Sequence, residues 1–456
     1  MDEKNPLNPV SSEKRTDRFH TTSNLAALLL LLTTGTGLSA QENPILAGQS
    51  VNQTQKSMAD LIIKICPDPE IDLDPDLQNR CDALVGASIE EPGSPEVSEA
   101  LFEASPEQLT SFGVETTRTM AGSVNIVSTA VLGRLQTLRA GLDSGFHYAG
   151  IQFFQDGKPV TGGNAGSDAF GDLGVWINGS FHLGEVDSIP AARGFNYKNW
   201  GVTGGADYRV LDNLVLGGAF SYVLSDNDFD RNGGHADNDA YIGSIYGTFY
   251  PLENFYIDGL VTYGHINYDL TRNISYTLST TGDVVNTRAR GDTDGNQWGF
   301  TISSGYEFHW QALNFNPYAR FSYLRLRVDD YHEQGGFGWG LRYEEQHVRS
   351  MKSVAGAQIS YAISLPWGVM TPQVWGEWHH EFRDPSRTLT ASFLGDPASR
   401  TFAIHVPPPD RDYAIFGGSL TATLAYGVSA FVGYEALVGY RHISSHRITL
   451  GARLQF

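Results

Sequence analysis

Apolar and polar residues alternate along the chain from about residue 172 to its last residue. In the final segment Ile448, Leu450, Ala452, Leu454 and Phe456 occupy every second position, with polar or small residues between them. Successive side chains of a β-strand point to opposite faces, so a period of two predicts strands with one apolar face. The opposite face of these strands is polar, with charged and small residues.

The connections between the predicted strands differ in length at the two ends of each strand. Connections after even-numbered strands are tight, whereas most of those after odd-numbered strands are longer and polar, as at 226–234, 271–285, 329–340 and 383–411. An even strand count with short turns at one end and long loops at the other is typical of outer-membrane barrels. The twelve predicted strands are 173–187, 195–210, 214–225, 236–250, 255–270, 286–310, 315–328, 341–364, 367–382, 412–424, 428–440 and 446–456.

A sheet in lipid must close, because an open edge would leave backbone groups without hydrogen-bond partners. We therefore predict an all-β transmembrane fold, a 12-stranded antiparallel barrel over residues 172–456. Its first strand should pair with its last, with both ends of the barrel chain on the periplasmic side.

Composition narrows the function classes. With 41% hydrophobic and 12% aromatic residues, the chain is too apolar to be disordered. Its net charge of −20 argues against nucleic-acid binding, which needs a basic surface. The two cysteines exclude a disulfide-dense scaffold and four-cysteine zinc sites. We expect no cofactor and no bound metal.

Residues 1–40 have the pattern of a secretory signal peptide. Basic residues precede the leucine-rich stretch 25–32, which is followed by small residues up to Ala40. This stretch is far shorter than the roughly 20 residues that a spanning helix needs. We expect export, with cleavage after Ala40.

Residues 41–100 form a short acidic segment that precedes the barrel. The spacing of apolar residues predicts a helix over 51–65 and a second short one over 76–85, with a linker at 90–95. Cys66 and Cys81 lie at the end of the first helix and within the second. In an oxidising compartment we expect them to form a disulfide.

Residues 101–171 contain a further predicted helix, over 106–140, followed by irregular chain. Ser105, Pro106 and Gln108 give an N-terminal capping pattern, and Gly141 is a suitable stop. The helix carries polar residues that lipid would penalise, whereas the inward faces of the barrel could receive them. We expect this helix to pass through the barrel lumen and largely block it.

Strand alternation also places charged residues inside the barrel. Inward charges are usually paired with one another or with a plug, because a narrow lumen isolates them from bulk water. The predicted lumen charges are Arg320, Glu377, Glu435 and Arg453, with Gln373, Glu381 and Arg447 on the same faces.

Catalytic and metal-binding patterns are weak. His380 falls on the outer face of its strand with no serine opposite, and the chain has no G-x-S-x-G sequence. The stretch 292–296 is similar to the start of a calcium loop, but Ser303 stands where that loop requires glutamate. The acidic clusters at 226–230 and 292–296 are predicted to lie in solvated loops, and the protein is expected not to be an enzyme.

Several stretches resemble the autotransporter β-barrel (translocator) domain family of Gram-negative bacteria, and the resemblance covers roughly 101–456. They are LGVWINGSF at 173–181, WGVTGGADYR at 200–209, PYAR at 317–320, VDDY at 328–331, DRDY at 410–413 and SHRITLGARLQF at 445–456.

The resemblance implies twelve strands around a pore-spanning helix, with the passenger N-terminal to that helix. It also implies insertion by the barrel-assembly machinery, which reads a terminal aromatic residue and the alternating apolar residues before it. Phe456, Leu454, Ala452 and Leu450 match that assembly signal.

The chain departs from the usual family pattern in two ways, and its short segment with the cysteine pair resembles one found in small, passenger-poor members. Only residues 41–100 are available as a passenger, and they contain no repeat. Some members cleave themselves at an Asn-Asn pair in the linker helix, but here Asn125 is followed by Ile126.

Two function classes follow. The first is an outer-membrane autotransporter of type V secretion that anchors and displays the segment 41–100 at the cell surface. The alternative is a structural or narrow-pore barrel without secreted cargo. In both cases the expected partners are outer-membrane lipid, the barrel-assembly machinery and periplasmic chaperones, with no nucleic acid, and the barrel is expected to be a monomer.

Deletion of Phe456 tests the assembly signal. We expect the deletion variant to accumulate as periplasmic aggregate or to be degraded, because the terminal aromatic residue is lost. Immunoblotting of outer-membrane fractions measures this, and a normal level of the variant in the outer membrane would contradict the expectation.

Overall fold

A closed β-barrel forms most of the computed structural model of this chain. Twelve antiparallel strands pair in sequence order, and the first pairs with the last from Val186 with Ile443 to Gly174 with Gln455. The predicted strand count and closure are therefore confirmed. The residues described are 44–106, 122–141, 153–155, 158–160, 173–190, 192–383, 387–424 and 428–455.

The barrel strands lie close to their predicted positions. We number them β1 Leu173–Val186, β2 Phe195–Leu211, β3 Leu214–Phe229, β4 Gly234–Leu252, β5 Phe255–Leu278, β6 Asp283–Tyr306, β7 Leu313–Val328, β8 Gln346–Tyr361, β9 Gly368–Glu381, β10 Asp412–Leu424, β11 Val428–Val438 and β12 Ile443–Gln455.

The apolar face of each strand points outward, as the alternation predicted. In β12 the side chain of Leu450 is 58% exposed, whereas that of Arg447 is buried in the lumen. Ala452 and Leu454 of the predicted assembly signal also lie on the outer face. Phe456 lies outside the described residues.

The two ends of the barrel differ. At the end that we call the turn end, pairs such as β2 and β3, or β4 and β5, are joined by two residues. At the opposite end, the loop end, the predicted loops 226–234 and 271–285 are largely strand. The sequence 271–285 is largely polar, but its inward residues Ile274, Tyr276 and Leu278 are buried against the segment before the barrel.

Several short strands lie outside the twelve barrel strands. A small sheet at the loop end contains Tyr331–His332, Leu341–Tyr343, Arg387–Phe393 and Thr401–Val406, in that order. Its second strand was predicted as part of β8. The remaining short strands are Phe153–Gln155, Lys158–Val160, Phe308–Trp310, Gln334–Gly335 and Ile363–Leu365.

The segment 44–105, which we call the cap, folds into four helices at the loop end. Asn52 caps α2 by accepting the Gln55 N–H at 2.9 Å. A disulfide joins Cys66 to Cys81 with their Cα atoms 5.6 Å apart. The helices are α1 Pro44–Gly48, α2 Gln53–Ile65, α3 Pro75–Glu90 and α4 Pro95–Ala104.

The long helix predicted over 106–140 is not one continuous element. Ser105 is the C-cap of α4, which begins with the similar capping sequence Ser94-Pro95-Glu96. Gly122 lies in a bend, so the prediction of one continuous helix over 106–140 fails there. Helix α5 spans Ser123–Gly141 and ends at the predicted glycine. Residues 107–121 of the predicted helix, and the predicted signal peptide, lie outside the described residues.

Among the residues described, no helix is both long and apolar enough to cross a bilayer.

Replacement of both cysteines by serine tests how the cap is held. The disulfide closes a separation of 15 residues. In the chain-entropy model a loop of that size contributes about 3 kcal/mol. We expect hydrogen exchange of α2 and α3 to accelerate while exchange of the barrel strands is unchanged. Equal cap protection with and without the disulfide would contradict this expectation.

Candidate functional site

Helix α5 lies inside the barrel and runs from the loop half towards the turn end. Near its start, the Ser123 hydroxyl lies 3.3 Å from Oε1 of Gln297 on β6. The Asn125 side chain accepts a hydrogen bond of 3.5 Å from Lys352 on β8. Its last turn reaches Asp258, near the start of β5. The prediction of a helix in the lumen is therefore confirmed for residues 123–141.

Arg134 ties the middle of α5 to the barrel wall. It donates two hydrogen bonds to Asp207 on β2, at 2.7 Å from Nε and 2.6 Å from Nη2. Both side chains are almost fully buried. Gly174 stands beside this pair, where a Cβ atom would lie 2.2 Å from the Arg134 guanidinium. A side chain at position 174 would displace the ion pair.

Arg139 forms a second anchor near the turn end. Its Nη1 donates to both carboxylate oxygens of Asp258, at 3.0 and 2.9 Å, and its Nε lies 3.4 Å from Glu307. The guanidinium also stacks over the Tyr256 ring at 3.8 Å. Paired, hydrogen-bonded charges of this kind are costly to break, because the remaining partner is left buried.

One side of α5 packs on an apolar part of the wall. Ile126, Val131 and Leu135 are buried in the same core cluster as Val223 of β3 and Ile242 of β4. The alternation of the last strands had suggested a lumen wall that is polar throughout. This apolar part of the wall shows that it is not. The close approach requires small wall residues: a Cβ at Gly201 would lie 2.9 Å from Ile126.

The other side of α5 faces a cavity of about 160 Å³. Asn125 and Gln136 of the helix line it on one side, and Arg320, Lys352 and Glu435 of the strands line it on the other. A cavity of this size and polarity can hold several water molecules. The helix therefore fills the lumen asymmetrically.

The predicted lumen charges pair mainly within the wall. Arg320 donates to Glu377 at 2.6 Å, and Tyr318 and His379 also bond to that carboxylate. Glu435 accepts a hydrogen bond of 2.6 Å from Arg447.

Arg453, the remaining predicted lumen charge, is half-buried. It interacts electrostatically with the pair formed by Arg134 and Asp207.

The carboxylates that hold α5 were not among the sites predicted from sequence. Asp207 and Asp258 lie on the inward faces of β2 and β5, where each alternates with outward or small residues. Strand parity could have assigned both to the lumen. Their partners could not be assigned, because Arg134 and Asp207 are 73 residues apart.

At the loop end, Arg272 of β5 is the centre of a buried network that joins the cap to the barrel. It donates to Glu333 from Nε at 2.9 Å and from Nη2 at 2.7 Å. Its Nη1 donates to the Ala104 carbonyl of α4 at 2.9 Å, and its Nη2 to the Trp339 carbonyl at 2.7 Å. The Arg272 guanidinium on β5 thus joins the end of the cap to the connection that contains Glu333 and Trp339.

Further contacts fasten α4 to the connections around it. Arg193 donates to Glu103 at 2.8 Å and stacks over the Phe102 ring at 4.5 Å. Burial raises the pKa of the Glu103 carboxyl, and Arg193 offsets part of that shift. Glu96 accepts the Ser279 N–H at 2.7 Å, and this bond lowers its pKa.

The cap also covers the free edge of the small sheet. Ser57 and Thr54 of α2 accept hydrogen bonds from the N–H groups of Ala403 and His405, each at 2.9 Å. These are the outward N–H groups of the edge strand, which would otherwise be free to pair with another chain. At Gly338, with φ +93°, a Cβ would lie 2.6 Å from the Asp76 carbonyl of α3.

The weak catalytic and metal patterns are not assembled into a site. His380 lies on the outer face and contacts Asp412 at 2.9 Å. Asp292 and Asp294 lie within β6, inside the predicted strand 286–310, and the expectation that their acidic cluster lies in a solvated loop was wrong. Within the described ranges no three His, Cys, Asp or Glu residues are placed to hold a metal ion.

Comparison with known proteins identifies relatives of the barrel. The family model of the autotransporter beta-domain matches residues 175–435. The translocator domain of the autotransporter NalP from Neisseria meningitidis superposes with a TM-score of 0.50 at 14% identity. The match covers 72% of this chain and 98% of that one, and it shows the fold.

Two curated relatives are longer proteins. The chain is 25% identical over 256 residues to Esterase EstA of Pseudomonas aeruginosa, covering 53% of this chain and 37% of that protein. It is 23% identical over 260 residues to Lipase 1 of Photorhabdus luminescens, covering 56% and 38%. The chain thus spans less than two fifths of the length of either relative.

Substitution of Arg134 by glutamine tests the anchor of α5. We expect a loss of about 3–5 kcal/mol, because Asp207 is left buried without its partner. Urea unfolding in detergent measures the loss, and planar-bilayer conductance should rise as the helix loosens. The double variant R134Q/D207N should recover much of the stability.

Lys198→Gln is the control for that experiment, since Lys198 is exposed on the outer face of β2. The control should change neither quantity. Wild-type stability and conductance in R134Q would show that the ion pair does not hold the helix.

Proposed function

Because the chain belongs to the autotransporter beta-domain family, and its barrel lies in the outer membrane of a Gram-negative bacterium with surface-exposed loops, we propose that it anchors and displays the cap at the cell surface. The observation that carries the proposal is the position of the cap on the loop end, fastened through Arg272 to Ala104. Helix α5 enters the lumen from the same end, as a chain would after its N-terminal part had crossed.

The contacts favour a cap that stays in place over one that is released. Arg272 and Arg193 are almost fully buried, and each bonds a cap residue directly. Removal of the cap would deprive Arg193 of its carboxylate partner Glu103 and Arg272 of its bond to the Ala104 carbonyl. The disulfide between Cys66 and Cys81 would further limit opening of the cap.

We propose that the chain acts as an anchor and not as an enzyme. The relatives named esterase and lipase are longer proteins, and this chain spans less than two fifths of either. The sequence of this chain has no G-x-S-x-G motif to supply a similar nucleophile. The barrel fold by itself supports a transport role.

The partners proposed for this function follow from the barrel. Insertion would use the barrel-assembly machinery and periplasmic chaperones, with outer-membrane lipid around the apolar outer face. One closed barrel leaves no strand edge to pair with a second copy, which favours a monomer.

A narrow pore is the second candidate function. The cavity of about 160 Å³ beside α5 favours it, because the polar wall there is not filled by the helix. The cap covers the loop end, so conduction would require the cap to open. Bilayer recordings before and after reduction of the Cys66–Cys81 disulfide test this alternative.

Epitope insertion tests surface display. An epitope placed after Glu70, in an exposed turn of the cap, should bind antibody on intact cells. The matched control places the same epitope after Glu253, in the exposed turn between β4 and β5 at the turn end. That site should bind antibody only after the outer membrane is permeabilised.

Labelling of the Glu253 site but not the Glu70 site on intact cells would reverse the topology and refute the proposal. Failure of both sites to label intact cells, with normal labelling after permeabilisation, would also refute display.

A further inference from the structure

Trp375 of β9 presents an aromatic ring to the cavity beside α5. Its direct cross-strand partner is Gly417 of β10, where a Cβ atom would lie 2.4 Å from the indole ring. The ring therefore lies along the wall, over the glycine, and does not project straight into the lumen. Its Nε1 donates a hydrogen bond of 3.2 Å to Glu435 of β11, which fixes the orientation of the ring.

One face of this ring is open to the cavity. Trp375 is half-buried, whereas two tyrosines that also line the cavity, Tyr318 and Tyr413, are only 9% and 5% exposed. The Tyr318 hydroxyl is bonded to Glu377, and the Tyr413 ring is stacked on His379 at 4.8 Å. The Trp375 ring has the wall on one side and the cavity on the other, so it is available to a ligand.

Uncharged hydrogen-bonding groups surround the open face. Gln373 and Ser419 line the cavity next to Trp375, on the turn side, together with Thr449 of β12. The Ser419 hydroxyl lies 3.5 Å from Oε1 of Gln373, which is longer than the usual range of about 2.5–3.0 Å for such a bond. Gln136 of α5 lines the cavity from the helix side. These amides and hydroxyls can bond a ligand at several points around its edge.

The arginines of the cavity wall are already neutralised. Arg320 donates to Glu377 at 2.6 Å, and Arg447 donates to Glu435 at 2.6 Å. Buried pairs of this kind are costly to separate, because the remaining partner is left without its counter-charge. A ligand at the Trp375 ring therefore gains little from a charge of its own.

An uncharged ring with apolar faces and a polar edge matches this arrangement. Glucopyranose has this shape, because its hydroxyls lie around the rim and C–H groups cover both faces. Ligand sites commonly combine an aromatic surface with a few placed polar groups. The cavity of about 160 Å³ corresponds to roughly ten water molecules at about 10–15 Å³ each, which is comparable with one hexose.

We propose that the lumen cavity binds one neutral pyranose sugar, which packs its C–H face on Trp375. Gln373, Ser419 and Gln136 bond its hydroxyls. The inference goes beyond display of the cap. It concerns the lumen alone, so it holds or fails independently of which end of the barrel faces the outside of the cell.

Saturation-transfer NMR of the full chain tests the site, with glucose as the probe and a detergent that has no sugar headgroup. We expect the strongest transfer at the ring C–H protons of glucose. Trp375→Leu should weaken binding about tenfold, because the aromatic face is lost. Trp375→Phe should keep most of the binding, although it also lacks the Nε1 donor. Trp378→Leu is the matched control, since Trp378 is exposed on the outer face of the same strand.

A second pair of variants moves the ring without removing it. In Gly417→Ala the new Cβ would meet the indole, so the ring must tilt away from the wall and glucose binding should weaken. Gly418→Ala, on the outer face, is its control, because the nearest contact of a Cβ there is 3.4 Å. The glycine pair provides the same comparison if Trp375→Leu does not fold. Heat-induced unfolding of every variant confirms that the barrel is intact.

Two other probes identify the chemistry of the ligand. Sorbitol carries similar hydroxyls but has no ring face, so we expect it to bind about tenfold more weakly than glucose. Glucose 6-phosphate should bind no more tightly than glucose, because the arginines of the wall are paired.

Four outcomes would overturn the proposal. They are absence of transfer to glucose in the wild type, equal binding by Trp375→Leu and Trp378→Leu, equal binding of sorbitol and glucose, and tighter binding of glucose 6-phosphate than of glucose.

Discussion

Backbone hydrogen bonding in lipid is the constraint on which the rest of this structure depends. A membrane-spanning sheet cannot leave an edge unpaired, so the twelve strands close through β1 and β12, from Val186 with Ile443 to Gly174 with Gln455. Closure at this strand number creates a lumen wider than side chains alone can fill, yet far narrower than the aqueous channels of larger barrels. Something else must occupy the interior, and in this chain it is α5.

Occupation of the lumen by α5 explains the placement of the buried charges. One side of the helix packs against apolar wall residues. Two ion pairs, Arg134 with Asp207 and Arg139 with Asp258, hold the helix in place. Such pairs specify one position and direction for the helix, because each buried charge needs its partner. The opposite wall satisfies its own charges, as in the pair of Arg320 and Glu377, and leaves a cavity beside the helix.

Outside the membrane, the cap buries apolar strand residues and supplies hydrogen-bond acceptors to an edge strand. The strands β5 and β6 extend beyond the barrel, and the edge strand of the small sheet has outward N–H groups that need acceptors. The cap buries the inward residues of the extended hairpin and supplies hydroxyl acceptors to that edge through Ser57 and Thr54. Arg272, which bonds both the loop residue Glu333 and the end of α4, connects this arrangement to the barrel.

The sequence by itself determined which residues form strands and which of them face outward. Leu450 and Arg447 could be assigned to opposite faces because alternation is a consequence of local backbone geometry. Only the tertiary structure decided the pairings: Arg134 meets Asp207 across 73 residues, and Trp375 meets Gly417 through the register of β9 and β10. The extent of β5 and the existence of α4 also depended on tertiary burial, because residues such as Ile274 and Leu101 pack together only after the cap has folded onto the barrel.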